Sequence, residues 1–195
     1  MFQFTGIHHV AFATKNMEKT TRFWRDLLGM RLVFSHGEEG YRQYFFEISP
    51  NNLISFFEWP QVEKVAIHRH GDPVTGPFAF DHVSFGLPDL ESLWTLAGRL
   101  LAADCPLSDV TNHGFIHSIY TYDPNGIPIE FSAAVPGMDV RKNPLIADFP
   151  ATSVGQEGSQ PLLHLWPPPE DIPHEERLVI QGDGATVFDK HAIRE

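Results

Sequence analysis

Gly6-Ile7-His8-His9-Val10-Ala11-Phe12 and Ala79-Phe80-Asp81-His82-Val83-Ser84-Phe85 are two versions of one stretch. Laid over each other, His9 falls on His82, Val10 on Val83 and Phe12 on Phe85, all at an offset of 73. Asn16 falls on Asp89, and Leu27-Leu28 on Leu100-Leu101, at the same offset. Further on, Pro50-Asn51-Asn52 matches Pro124-Asn125-Gly126 at an offset of 74. A chain that matches itself over this span is built from two copies of one supersecondary unit.

Working outward, each copy reads as a strand, a helix and three strands. Alternation predicts strands over 6–13 and 80–86. Asn16 and Asp89 cap helices of about three turns. Their apolar stripes are Met17, Thr21, Trp24, Leu28 and Leu90, Leu93, Ala97, Leu100. Gly29 ends the first helix. Strands follow at about 31–35, 41–48 and 53–59, then at about 108–112, 115–122 and 127–133, and the Pro-Asn turns close the last hairpin of each copy. The expected fold is α+β, residues 1–135 forming two tandem βαβββ modules (about 5–60 and 79–135, linker about 61–78) whose curved mixed sheet surrounds a cavity. Residues 136–195 hold half of the sixteen prolines and read as an extended irregular tail. Its apolar islands, Leu162 to Trp166 and Val179-Ile180, are expected to pack on the domain or on a partner subunit, with a short strand near Leu178–Gln181.

Net charge is −11, and the summed field repels phosphates, which argues against a nucleic-acid or anionic-membrane partner. No apolar run approaches the roughly 18 residues of a membrane span. The N-terminus shows no secretory signal pattern. The single cysteine, Cys105, excludes an intrachain disulfide and fits a reducing compartment, so a cytoplasmic location is expected.

Period-two alternation assigns the faces. Val10, Phe12, Val83 and Phe85 must pack on the helices, which turns His9, His82 and Ser84 the other way. In the last strand Ile127, Ile129 and Phe131 take the helix side and leave Glu130 on the opposite face, with Tyr120 beside it. A carboxylate amid apolar neighbours needs a partner. Two imidazoles and a carboxylate form the facial triad of mononuclear non-haem iron, although these donors also accept Mn, Zn, Ni or Co. His9, His82 and Glu130 are therefore the candidate ligands of one divalent metal. Aligned through the Pro-Asn turns, Glu130 falls on Phe56, which cannot ligate, and Glu58 is the nearest acid. That alignment puts Phe46 and Phe56 on the site face, where they would sandwich an aromatic ring, with Glu58 nearby. His36, His68, His70, His164, His174 and His191 have no partner spacing and read as surface.

The His-His-Val strand, the duplicated unit and the run from His113 through Ser118-Ile119-Tyr120 and Asp123-Pro124-Asn125-Gly126 to Glu130 resemble the vicinal oxygen chelate superfamily. That group includes glyoxalase I, bleomycin-resistance proteins and extradiol dioxygenases, and the likeness covers about residues 5–135. The second run looks most like ring-cleaving dioxygenases of the extradiol and hydroquinone type. The resemblance implies Fe(II) on His9, His82 and Glu130, and a small aromatic substrate with dioxygen. It assigns Tyr120 to hydrogen-bonding the substrate or a bound oxygen species, and His8 to an acid/base or orienting role beside the metal; His113, near the entrance of the same strand, is a further catalytic candidate. His113 stands where related hydroquinone cleavers tend to carry an arginine, and Asp81 where they tend to carry a second histidine. A homodimer is the expectation the family gives. Alternatives are a glyoxalase-like metal-dependent lyase or isomerase, and a metal-free small-molecule binder of the bleomycin-resistance type.

Overall fold

The computed structural model describes residues 6–38, 40–73, 80–147, 150, 153–165, 167–181, 185 and 187. Linker residues 74–78, Trp166 and His191 lie outside the described residues. The chain divides into two compact units, Met1–Met138 and Asp139–Glu195.

In the first unit each copy of the repeat builds a four-stranded sheet. The first module runs β1 (His9–Thr14), α1 (Met17–Thr21), β2 (Arg31–Glu38), β3 (Tyr41–Ser49) and β4 (Asn52–Glu58). The second runs β5 (Val83–Leu87), α2 (Leu90–Ala102), β6 (Thr111–Asn112), β7 (Ile116–Tyr122) and β8 (Pro128–Ala134). Strand orders are β1-β4-β3-β2 and β5-β8-β7-β6. In each sheet the first strand pairs in parallel with the last, and the other pairs are antiparallel. The expected caps are present: Asn16 accepts from the Lys19 amide and Asp89 from the Ser92 amide. The first helix differs from a regular three-turn helix, because after Thr21 it widens into a π-helical turn over Arg22–Leu27.

The helix-facing sides of both sheets share one core. Trp24, Phe46, Ile54 and Phe56 from the first module meet Phe85, Leu93, Leu100, Ile119, Ile129 and Phe131 from the second. Trp24 touches Phe56 at 5.5 Å and Phe85 at 5.6 Å between ring centroids. A buried polar cluster fastens the modules beside it. Thr14 Oγ1 donates to Asn125 Oδ1 at 2.7 Å, Asn125 Nδ2 donates to Thr20 Oγ1 at 3.1 Å, and Trp24 Nε1 donates to Asp123 Oδ2 at 3.3 Å. Each such bond contributes roughly 1 kcal/mol net, and a broken one leaves a buried group unpaired. The faces carrying His9 and His82 are therefore both turned away from a core that holds the two modules in fixed relation.

The second unit contains α3 (Ser153–Gln156) and two short 3-10 turns, Leu163–Leu165 and His174–Glu176. Among its described residues there is no strand, so the one expected near Leu178–Gln181 does not form. No described helix is long and apolar enough to cross a membrane.

Candidate metal centre

Strand pairing corrects the alignment of the two copies. Ala11 pairs with Ser55, whereas its counterpart Ser84 pairs with Glu130. The residue equivalent to Glu130 is therefore Ser55, not Phe56. The reason lies in the hairpins. Ser49 pairs with Asn52 across Pro50-Asn51, and a bulge follows between Glu47 and Ser49. The second hairpin instead closes at Tyr122 and Pro128, around a longer loop. A one-residue slip reverses every face.

Three expected site residues move accordingly. Phe46 and Phe56 are fully buried in the core and do not line the site. Glu58, also buried, accepts from the Met17 amide at 2.8 Å and pairs with Arg42 at 2.6 Å. It serves the N-terminus of α1, where unpaired amides favour a carboxylate. The aromatic residues on the outer face of the first sheet include Phe34, Tyr41, Phe45 and Phe57. Phe34 and Phe45 are 5.7 Å apart between centroids, and Phe57 stacks on Trp59 at 5.2 Å and 2°.

On the outer face of the second sheet, four expected residues come together. His82 Nε2 is 3.1 Å from Glu130 Oε2. Tyr120 Oη donates to Glu130 Oε1 at 2.9 Å, and His113 Nε2 lies 2.8 Å from Tyr120 Oη. Since the phenol proton is committed to Glu130, His113 is the donor in that contact. Glu130 is 5% exposed, so it is held inside this cluster rather than in water. Burial alone pushes its carboxyl up. Hydrogen bonds from Ser118, Ser84 and Tyr120, with the His82 charge, outweigh that and leave it below the usual carboxylate range. Burial pushes the Tyr120 phenol up, and the Glu130 carboxylate adds to the shift.

His9 sits elsewhere. It is exposed on the first sheet, with Nδ1 2.9 Å from His8 Nδ1 and its ring 5.8 Å from Phe45. By strand pairing Phe45 is the counterpart of Tyr120, which meets His82 at the same 5.8 Å. The repeat thus builds two half-sites: His82, Glu130 and Tyr120 on one sheet, His9, Ser55 and Phe45 on the other. The Ser55 hydroxyl is buried and, among the described residues, has no hydrogen-bond partner. Among the described residues, the one group of three or more His, Cys, Asp or Glu side chains with donors within 4.8 Å of each other is His70, Asp81 and His82. His9, His82 and Glu130 do not converge within a single chain.

Sequence reasoning missed two neighbours of His82. Asp81 Oδ1 is 2.5 Å from His82 Nδ1, and that bond to His82 leads the effects that hold its carboxyl below the usual range. His70, read as surface, stacks on Tyr120. Linker residues carry no periodicity, so nothing local signals where such a side chain will land.

Similarity to known proteins agrees with this architecture. The family model of the Glyoxalase/Bleomycin resistance protein/Dioxygenase superfamily matches residues 6–131. A comparison with curated proteins finds no match. Similar solved structures include a glyoxylase/bleomycin resistance protein/dioxygenase domain from Frankia sp. EAN1pec, at TM-score 0.58 and 16% identity, covering 72% of this chain and 99% of that one. The fosfomycin resistance protein FosX from Listeria monocytogenes gives TM-score 0.52 at 18% identity, covering 69% and 97%. Lactoylglutathione lyase from Agrobacterium tumefaciens gives 0.50 at 22% identity, covering 66% and 93%.

Proposed function

The chain belongs to the Glyoxalase/Bleomycin resistance protein/Dioxygenase superfamily, and from that premise we propose that it is a metal-dependent dioxygenase cleaving a catechol- or hydroquinone-like ring. The observation that carries the reading is the His82–Glu130 pair with Tyr120 and His113 against it. Two neighbouring ligands about 2.1 Å from one metal stand about 3 Å apart, and His82 Nε2 is 3.1 Å from Glu130 Oε2. The donors present therefore fit a divalent cation.

Two donors alone hold a catalytic ion poorly. The third is His9 from a second copy of the chain, whose first-sheet face meets the second-sheet face of its partner. The complete set, two imidazoles and one carboxylate, suits Fe(II) and also accepts Mn, Zn, Ni or Co. Bound there, Fe(II) supplies positive charge against the phenolate and electrons for dioxygen.

The surrounding side chains prepare the site. Tyr120 holds its proton on Glu130 and offers its oxygen to His113, a chain along which a proton can pass to or from the substrate oxygen. His8 holds one nitrogen of His9 and leaves Nε2 for the ion. Phe34, Phe45 and Phe57 supply an apolar wall on which an aromatic ring stacks and from which water is excluded. Ser55 stands where a second carboxylate would complete a four-ligand site, so the three-ligand dioxygenase is favoured over a glyoxalase-like lyase. We place the enzyme in the cytoplasm as a homodimer.

The test is elemental analysis of anaerobically purified protein, followed by oxygen uptake across catechols and hydroquinones. The reading predicts about one iron per chain and oxygen consumed in step with ring opening. Iron-loaded protein that takes up no oxygen with any of them sinks the dioxygenase. Stoichiometric zinc or nickel with lyase activity replaces it with the second reading, and no affinity for any divalent ion replaces it with a small-molecule binder.

A further inference from the structure

One carboxylate beside the centre belongs to neither half-site. Asp81 sets Oδ1 2.5 Å from His82 Nδ1. Its Oδ2 accepts from the Gly71 amide at 3.3 Å. His70 Nδ1 is 3.6 Å from Asp81 Oδ1. The His70 ring lies flat on Tyr120, 4.0 Å between centroids and 8° between planes, and stands edge-on to His82 at 5.2 Å. The linker therefore reaches back over the second sheet and braces both Asp81 and Tyr120. It is itself fastened there: Tyr122 Oη donates to the His68 carbonyl at 2.9 Å, and the Val65 amide to the Asn125 carbonyl at 3.0 Å.

A neutral imidazole offers a lone pair on one nitrogen only when the other carries the proton. A carboxylate against Nδ1 keeps the proton there, fixes the ring plane and leaves Nε2 as the donor. In this chain Nε2 is the nitrogen directed at Glu130. We propose that Asp81 is the positioning residue of His82, holding its Nδ1–H while Gly71 and His70 of the linker hold Asp81 in turn. The inference rests on His82 being a metal ligand. The donors of His70, Asp81 and His82 lie within 4.8 Å of one another, so a cation held among those three is the rival reading. Both oxygens of Asp81 are already engaged, one by His82 and one by Gly71, which favours positioning over ligation.

The experiment titrates Co(II) into the metal-free full chain against a chromophoric chelator, for wild type, Asp81→Asn, Asp81→Ala and His82→Ala. The His82 tautomer is read by nitrogen NMR on the zinc-loaded protein. Loss of a carboxylate that orients a ligating histidine weakens metal binding about 10- to 100-fold. Asp81→Ala is expected to show that loss with the number of Co(II) ions per chain and the melting temperature unchanged. Asp81→Asn, whose amide oxygen still accepts from Nδ1–H, is expected to fall between Asp81→Ala and wild type. Zinc-loaded wild type should show the proton on Nδ1, and Asp81→Ala a mixed signal. A Kd for Asp81→Ala within about twofold of wild type overturns the proposal, and so does a fall in the number of ions bound, which would make Asp81 a ligand. His82→Ala separates the two levels: if it binds Co(II) as tightly as wild type, the ligand assignment itself has failed; if it loses binding while Asp81→Ala keeps it, only the positioning role has failed.

Discussion

Tyr120 donates to Glu130 at 2.9 Å, accepts from His113 at 2.8 Å and carries His70 on its face. Burial and the neighbouring carboxylate both push its phenol up, so it keeps its proton through the neutral and mildly alkaline range. Its part is therefore to donate and relay rather than to ionise. Tyr120→Phe removes the donor and the link to His113 but no ligand. Iron content should stay at the wild-type level while kcat falls by about 100-fold, the usual scale for a lost proton-transfer group; steady-state kinetics beside metal analysis checks it. A Tyr120→Phe enzyme with wild-type kcat would reduce the phenol to a wall of the site.

Among the elements, the loop between β7 and β8 is tied down by a dense set of hydrogen bonds. Asp123 Oδ1 accepts from the Asn125 and Ile127 amides, and Oδ2 from Asn125 Nδ2 and Trp24 Nε1. Asp123→Asn converts one acceptor to a donor facing donors, and stability should fall by about 1–3 kcal/mol, measured by urea unfolding. Gly126 cannot be replaced in this loop without strain: its φ is +82° and an added Cβ would meet the Val65 carbonyl oxygen at 2.5 Å. Element positions were largely legible, because capping residues, helical stripes and strand alternation are local signals. Tyr120, His82 and Glu130 were placed correctly on one face by that alternation. Phe46, Phe56 and Glu58 were not, because the Pro-Asn motif occurs in two hairpins of different geometry and a bulge shifts the register of one. His70 was illegible for another reason. Its position depends on how an aperiodic linker drapes over β7, which no short-range pattern records, whereas Asp81 was visible beside His82 but its bond to that ring was not.

At the scale of the molecule, the two sheets share a core on their helix sides and turn their half-sites outward. The Thr14–Asn125–Thr20 and Trp24–Asp123 bonds bridge the modules, so bringing His9 to His82 within one chain would break buried hydrogen bonds and the aromatic core together. The alternation in the sequence shows that both histidines face away from the helices. It does not show whether the two faces meet within a chain or between two chains, since that depends on how the modules dock. In the proposed dimer with two-fold symmetry, the first-sheet face of each copy would meet the second-sheet face of the other, and two equivalent sites would form.

The most direct test pairs a His9→Ala chain with a His82→Ala chain, each with its own tag, and isolates the mixed dimer. Each variant alone should bind no metal at this centre. If the site is shared, the mixed dimer unites the intact His9 of one chain with the intact His82 and Glu130 of the other, and it should bind about one Co(II) per dimer against about two for wild type. A mixed dimer as empty as its parents would contradict the account, because each chain would then build its own site from its own residues.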